Sequence, residues 1–141
     1  MMNRIFLDTS FVIALSIEND GYHAVAKLWA EYILQNRYAI VTHQGILLEI
    51  GDALSKPQWR KTAANMLSFL QQDRTVEIIS INHEVIDAAL QLFVSRYDKN
   101  WGMTDCMSFA VMRQMHLESA LTADKHFVQA GFRALLRETP P

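Results

Sequence analysis

The chain has few of the residues that staple or interrupt a fold. It contains one cysteine, three prolines and five glycines among 141 residues. The single Cys106 excludes an internal disulfide, and the absence of CxxC and HxxxH spacings argues against zinc. The apolar runs are too short to span a bilayer, and the first of them stops at Asp8, unlike the core of a signal peptide. We therefore expect a cytoplasmic protein with no membrane partner.

The chain also lacks an excess of charge of either sign. Thirteen Lys and Arg residues face 15 Asp and Glu residues, for a net charge of -2. A nucleic acid would therefore have to be held by a local patch rather than by a global basic field. Half of the residues are apolar and a fifth are charged, as in globular proteins. A chain of this length can bury a sufficient core alone, so we expect residues 1–141 to form a single domain.

What the sequence does contain is four acidic residues among apolar or small neighbours. They are Asp8 in IFLDTS, Glu49 in ILLEIGD, Asp105 in GMTDCMSFA and Asp124 in ALTADKHF. A buried carboxylate keeps its charge only beside a basic residue or a cation, and otherwise it takes up a proton. Only Asp124 has a basic residue next to it, Lys125. A divalent cation held by oxygen ligands is therefore the natural compensator.

Apolar periodicity predicts strands and helices in alternation. The predicted strands are residues 4–7, 38–42, 76–81, 119–123 and 132–136. The predicted helices are residues 22–36, 44–55, 58–72, 84–97 and 104–115, with a further helix after Asp8. This order predicts an α/β fold in which helices flank a central, mainly parallel sheet.

The predicted topology places all four acids at one pole of the sheet. In an open parallel sheet the functional crevice lies beyond the carboxyl ends of the strands, and Asp8 and Asp124 directly follow strands. Glu49 lies in the first or second turn of the helix that begins where the second strand ends. Asp105 lies at the amino end of a helix that must deliver the chain to the amino end of the strand 119–123. The amino end of that helix, with Asp105, therefore lies at the carboxyl pole of the sheet.

Each acid has an ordinary structural interpretation as well. Asp8, Asp105 and Asp124 could begin helices, and Glu49 could extend into solvent or meet an arginine. Four independent acids have no reason to share one pole, so their coincidence favours a metal site. Oxygen ligands without a thiolate or an imidazole pair suit Mg²⁺ or Mn²⁺ better than zinc, and such a site suits phosphodiester hydrolysis.

Other reactive or aromatic side chains carry weaker signals. The five histidines show no ligand spacing and are interpreted as surface or core residues. Cys106 is interpreted as a buried helix residue rather than a nucleophile. Trp101 is expected in the core, with a place at the cleft edge, where it could stack a base, as the alternative.

Four segments resemble a known family. IFLDTSFVIAL, LLEIGDAL, DKNWGMTDCMSFAVM and ALTADKHFVQAGF are similar to segments of PIN-domain nucleases, most closely the VapC-type toxins of bacterial type II toxin-antitoxin systems. The resemblance covers nearly the whole chain. It implies a three-layer PIN domain and a Mg²⁺- or Mn²⁺-dependent endoribonuclease. The chain departs from the family at Gly102 and Met103, where we expect Ser and Leu.

The resemblance also implies roles for the acids. Asp8 and Asp105 match direct metal ligands. Asp124 matches a further ligand or a water-orienting acid, and Glu49 matches a ligand or a proton acceptor.

The same resemblance implies neighbouring groups and partners. Thr9 and Thr104 match hydroxyl residues that steady the site, and Asp98 matches a loop position that could assist from its rim. Such toxins usually form dimers and are silenced by a small antitoxin whose tail fills the cleft. The expected partners are an RNA substrate, a cognate antitoxin and a second copy of the chain.

Two other classes of function stay open at this point. The first is a PIN-like module that binds RNA or protein without cutting, for which binding would survive a chelator. The second is a phosphatase or phospho-acceptor domain that uses Asp8 as its nucleophile. Ser10 argues against the second, because a haloacid-type phosphatase carries another acid at that position.

Overall fold

The computed structural model describes residues 3–141. Its strands form one sheet in the order β3-β2-β1-β4-β5. All neighbouring strands pair in parallel, which confirms the predicted fold class. The strands are β1 (Arg4–Leu7), β2 (Ala39–His43), β3 (Val76–Ile79), β4 (Ser119–Leu121) and β5 (Arg133–Ala134).

Helices flank the sheet and supply the crossovers that parallel pairing requires. Across residues 3–141, no helix is of a length and hydropathy that would allow it to cross a membrane. The described helices are α1 (Thr9–Ser16), α2 (His23–Gln35), α3 (Gln44–Ala53), α4 (Pro57–Gln72), α5 (His83–Ser95), α6 (Met103–Gln114) and α7 (Lys125–Gln129).

The last predicted strand is the main difference between prediction and structure. Of residues 132–136, only Arg133–Ala134 pair with β4, and Leu135–Arg137 form a 3₁₀ turn. Leu135 and Leu136 are both buried, so the apolar character of this segment reflects core packing. The turn directs two consecutive leucines inward, which an extended strand with alternating side chains does not do.

The core lies beneath the carboxyl ends of the central strands. Phe6 of β1, Phe109 of α6 and Phe127 of α7 are fully buried. The Phe109 ring meets the Phe127 ring edge-on at 5.0 Å between centroids, and Phe6 lies 6.2 Å from Phe127. Aromatic contacts of this kind add to the free energy of apolar burial. They hold α6 and α7 against β1, with the first turns of both helices at the carboxyl pole.

Candidate active site

Asp8 lies at the carboxyl end of the central strand β1. Its main chain continues the pairing with β4, because its amide donates to the Leu121 carbonyl at 3.3 Å. The residue is 8% exposed, and its side chain does not cap the following helix α1. Asp8 thus begins α1 as its N-cap residue, but its side chain makes no capping hydrogen bond and faces the pole of the sheet.

Two hydroxyl groups hold one oxygen of the Asp8 carboxylate. Thr122 Oγ1 donates to Asp8 Oδ2 at 2.7 Å, and Ser10 Oγ donates to the same atom at 3.0 Å. Each hydroxyl also accepts a backbone N–H, from Asp124 for Thr122 and from Ala123 for Ser10. With its one proton directed to Asp8, each hydroxyl is satisfied by this arrangement. The network thus orients the carboxylate and ties β1 to the segment after β4.

Glu49 approaches Asp8 from the second turn of α3. Its Oε1 accepts a hydrogen bond from Thr9 Oγ1 at 2.7 Å, which joins α3 to the first residue of α1. Thr9 is itself buried, whereas Glu49 is half-buried. The predicted proximity of the Thr9 hydroxyl to the site is therefore observed, with Glu49 as its partner.

Asp105, Asp124 and His126 form the other half of the cluster. Asp105 is the third residue of α6. Its Oδ2 accepts a hydrogen bond at 3.2 Å from the amide of Gly102, the residue that precedes the helix. Asp124 caps α7 by accepting the His126 amide at 2.9 Å. His126 Nδ1 lies 3.0 Å from Asp105 Oδ2 and 3.5 Å from Asp124 Oδ1. The three side chains each offer one ligand atom, and these atoms lie within 4.8 Å of one another.

Burial and the charges of neighbouring acids raise the pKa of Asp8, Glu49 and Asp105. Burial raises the pKa of Asp8 to about 6, and the charge of Glu49 adds to the shift. Burial is also the main cause that raises the pKa of Glu49 and Asp105. The charges of Asp105 and Asp124 add to the shift of Glu49, and that of Asp124 to the shift of Asp105. All four acids therefore interact electrostatically at one pole.

The donor set fits a divalent cation. Among residues 3–141, no lysine or arginine forms an ion pair with any of the four acids, and His126 is the basic side chain that lies against Asp105 and Asp124. Several partly buried carboxylates with so little compensating charge are the environment in which an oxygen-bound cation restores the charged forms. Asp8, Glu49, Asp105 and Asp124 are the residues that would hold it. Their role as ligands stays a prediction.

A buried histidine joins two helices that carry these acids. His43 ends β2 and caps α3, since its Nδ1 accepts the Gly45 amide at 3.0 Å. Its Nε2 lies 2.9 Å from Ser108 Oγ, and Ser108 in turn donates to the Thr104 carbonyl at 3.0 Å. The accepting role of Nδ1 and the donating role of Ser108 together place the proton of His43 on Nε2. Burial lowers the pKa of His43 to about 4, which favours this neutral form.

Asp98, predicted at the rim of the site, and Trp101, for which the rim was the alternative to the core, have other partners. Asp98 accepts both hydrogen bonds of a bidentate pair with Arg96, at 2.9 and 3.0 Å, and is exposed to solvent. Trp101 is 5% exposed, packs edge-on against Phe109, and donates its indole N–H to Gln129. Trp101 is therefore a core residue, and the alternative that it stacks a base at the cleft edge is wrong.

Sequence reasoning missed the contributions of His126 and Thr122. The spacing of the histidines to one another shows no metal-ligand pattern, because the partners of His126 are acids 2 and 21 residues away. The signal was the position of His126 in the first turn after a capping aspartate. Thr122 gave no comparable signal, because its bond to Asp8 spans 114 residues. Cys106 is fully buried in α6, as predicted.

A parallel α/β sheet with a carboxylate cluster at its carboxyl pole is an arrangement suited to metal-dependent phosphodiester hydrolysis. A comparison with protein families identifies the class more closely, because the PIN domain matches residues 5–133. The chain therefore belongs to the PIN-domain family. The resemblance inferred from its four motifs is confirmed.

Known relatives of similar length extend this result. The chain is 29% identical over 129 residues to the 23S rRNA-specific endonuclease VapC20 of Mycobacterium tuberculosis, covering 91% of this chain and 95% of the relative. The crystal structure of that VapC20, described as a sarcin-ricin loop cleaving toxin, matches with a TM-score of 0.79 and 28% identity over the same shares. The relationship to an endonuclease confirms the predicted enzyme class.

A second solved structure shares the fold alone. VapBC2 from Rickettsia felis, bound to a DNA fragment from its promoter, matches with a TM-score of 0.68. The alignment covers 93% of this chain and 96% of the other at 13% identity. The PIN-like arrangement of sheet and helices thus persists where little sequence identity is left.

Proposed function

We propose that this protein is a Mg²⁺- or Mn²⁺-dependent endoribonuclease and the toxin of a toxin-antitoxin pair. The observation that carries the proposal is the convergence of Asp8, Glu49, Asp105 and Asp124 at the carboxyl pole of a PIN-domain sheet. The identity of 29% to an endonuclease relative supports it.

The geometry suggests a division of labour among the acids. Asp8, Asp105 and Asp124 would bind the cation, which when bound neutralises charge on the scissile phosphate and lowers the pKa of a water molecule. The Ser10 and Thr122 hydroxyls keep one Asp8 oxygen oriented. Glu49, held through Oε1 by Thr9, has a raised pKa and would accept the proton of the attacking water.

The substrate class that we propose is ribosomal RNA of the large subunit. The support is the relative, whose name gives 23S rRNA as its substrate, and the high coverage of both chains. Because the net charge is only -2, binding must come from local contacts with a folded RNA rather than from a general attraction to phosphate.

Partners and setting follow from the same assignment. We propose a cognate antitoxin that covers the acidic cleft, a homodimer, and a cytoplasmic location, with residues 1–141 as one PIN domain. Support for a second copy comes from apolar side chains exposed along α5, where Leu90 and Phe93 are 48% and 44% exposed. Neighbouring large apolar residues that are exposed on one helix are typical of a protein–protein interface.

Cleavage by purified protein tests this proposal. Ribosomes and naked RNA are incubated with the protein and Mg²⁺, Mn²⁺ or EDTA, and new 5′ ends are mapped by primer extension. We expect discrete cuts in 23S rRNA that need a cation and disappear in Asp8→Asn and Asp105→Asn. Glu31→Gln, at an exposed acid on α2, is the matched control and should cut normally. RNA that is bound in EDTA but never cut with either cation would instead support a binding module.

A further inference from the structure

We propose that His126 is a nitrogen ligand of the cation in this site and that it makes the site prefer Mn²⁺ to Mg²⁺. The inference rests on the proposed function, since it takes the binding of one divalent cation at the acidic cluster as given. It adds a ligand that is not an acid and a preference between the two candidate metals.

The distances around His126 are those expected of neighbouring ligands. Its Nδ1 lies 3.0 Å from Asp105 Oδ2 and 3.5 Å from Asp124 Oδ1. Octahedral coordination with ligand distances of about 2.1 Å separates adjacent ligand atoms by roughly 3 Å. The imidazole nitrogen and the two carboxylate oxygens all lie within 4.8 Å of one another, close enough for one ion to contact all three.

The backbone of α7 places the imidazole there. The capping bond from the His126 amide to Asp124 Oδ1 sets the first turn of the helix, and Phe127 anchors that turn in the core. The imidazole is about a fifth exposed and presents Nδ1 to the two acids. A solvent-facing histidine could leave the site freely, whereas this ring is held beside it.

A simpler role for His126 would be to donate a hydrogen bond that holds Asp105. His126 fills that role while no cation is bound, because Asp105 Oδ2 can accept from both His126 Nδ1 and the Gly102 amide, at 3.0 and 3.2 Å. Nδ1 also lies 3.5 Å from Asp124 Oδ1, so a cation held by Asp105 and Asp124 would take the place of a proton between these atoms. The ligand role and the donor role of His126 differ once the cation is bound, because only a ligand nitrogen is bonded to the ion.

The chemistry of a mixed donor set gives the metal preference. Mg²⁺ binds oxygen almost exclusively and retains water molecules, whereas imidazole nitrogen suits first-row transition ions. Replacement of one oxygen ligand by His126 Nδ1 should therefore weaken Mg²⁺ binding relative to Mn²⁺. The remaining carboxylate oxygens keep the site suitable for Mn²⁺ rather than for a softer ion.

Pulsed electron paramagnetic resonance of the Mn²⁺-loaded protein tests the ligand directly. Mn²⁺ alone is the probe, and no RNA is present. We expect nuclear modulation from a coordinated ¹⁴N in the wild type and in the control His83→Gln, and its loss in His126→Gln. Labelling of histidine with ¹⁵N should change the modulation pattern. Absence of nitrogen coupling in the folded, Mn²⁺-bound wild type would overturn the proposal.

Metal affinity gives a second readout that is independent of catalysis. We expect His126→Gln to lower Mn²⁺ affinity by about tenfold or more, within the range for altered metal environments, while Mg²⁺ affinity changes by less than about threefold. An equal loss for both ions would overturn the preference. Circular dichroism confirms that the variant is folded.

The two proposals fail in different ways. RNA cleavage by a wild type without nitrogen coupling would reject the ligand role of His126 and leave the nuclease intact. Nitrogen coupling in a protein that cuts no RNA would reject the nuclease and leave His126 as a metal ligand.

Discussion

His43 and Ser108 connect the helix that carries Glu49 to the helix that carries Asp105. Their side chains meet at 2.9 Å, and both residues are almost completely buried, at 0% and 1% exposure. Ser108 lies one turn after Asp105, and His43 caps the helix in which Glu49 occupies the second turn. The bond therefore sets the separation of two acids without involving either of them.

Removal of this bond should destabilise the fold through an unpaired buried donor. Ser108→Ala leaves the His43 Nε2–H without an acceptor, and we expect a loss of about 1–3 kcal/mol in the free energy of unfolding. His43→Asn keeps a capping oxygen for α3 but is too short to reach Ser108. Urea denaturation of both single variants and the double variant should show a coupling of about 0.5–3 kcal/mol. Strictly additive losses would show that the two side chains do not interact.

The raised pKa of Asp8 predicts an unusual response to pH in the metal-free protein. Its pKa rises from 3.8 to about 6 on folding, so the native state binds the proton more tightly than the unfolded state. Asp8 therefore destabilises the fold above pH 6, and this penalty, at most about 3 kcal/mol, is relieved as the pH falls toward 4. Asp8→Asn should be more stable than the wild type at pH 7 in EDTA, although we expect it to be inactive.

The pKa of His43 shifts in the opposite direction on folding, so the pH dependence of wild-type stability does not reflect Asp8 alone. The pKa of His43 falls from 6.5 to about 4, so stability is lost as the pH falls through this window. The wild-type profile mixes the two contributions. The difference between wild type and Asp8→Asn should shrink steadily from pH 7 to pH 4, and a constant difference would contradict a raised Asp8 pKa.

Thr122 should matter through its hydroxyl rather than its shape. Thr122→Val fills the same space but removes the bond to Asp8 and leaves the Asp124 amide without its acceptor. We expect a loss of about 1–3 kcal/mol in stability, together with slower RNA cleavage. Thr122→Ser retains the hydroxyl and is the matched control. Equal behaviour of the Val and Ser variants in thermal unfolding and cleavage assays would rule out this role.

Two glycines of α3 should respond in opposite directions to alanine. A Cβ on Gly45 would lie 2.9 Å from His43 Cε1 and 3.1 Å from Met107 Cε, whereas a Cβ on Gly51 would meet nothing within 4 Å. Gly45→Ala should therefore cost about 1–3 kcal/mol by overpacking. Gly51→Ala should add about 0.5–1 kcal/mol, since alanine is the better helix former. Chemical denaturation measures both, and stabilisation by Gly45→Ala would contradict the close approach of His43.

The sequence predicted which end of the sheet carries the acids, because the topology of a parallel sheet restricts their positions. Parallel strands must be joined by crossovers, so Asp8 after β1 and Asp124 after β4 necessarily lie at the same carboxyl pole of the sheet. The predicted helix of residues 104–115 differs from α6 by one residue at each end. That boundary was readable because Gly102 and Asp105 mark the start of the helix.

Contacts between distant segments could not be predicted in the same way. The Thr122 bond to Asp8 and the His43 bond to Ser108 depend on side-chain directions at the ends of different elements. The last strand was predicted too long, because buried leucines in a 3₁₀ turn and in a strand look alike as an apolar run. The ion pair of Asp98 with Arg96 was missed because the family position suggested another role.

Induced expression in bacteria tests the central claim most directly. Wild type, Asp8→Asn, Asp105→Asn and the control Glu31→Gln are expressed to equal levels, growth is followed, and new RNA 5′ ends are sequenced. We expect growth arrest and discrete cuts in 23S rRNA for the wild type and Glu31→Gln, and neither effect for the two site variants. Normal growth and unchanged RNA 5′ ends in all four strains, or identical cleavage in all four, would contradict a nuclease that acts through this carboxylate site.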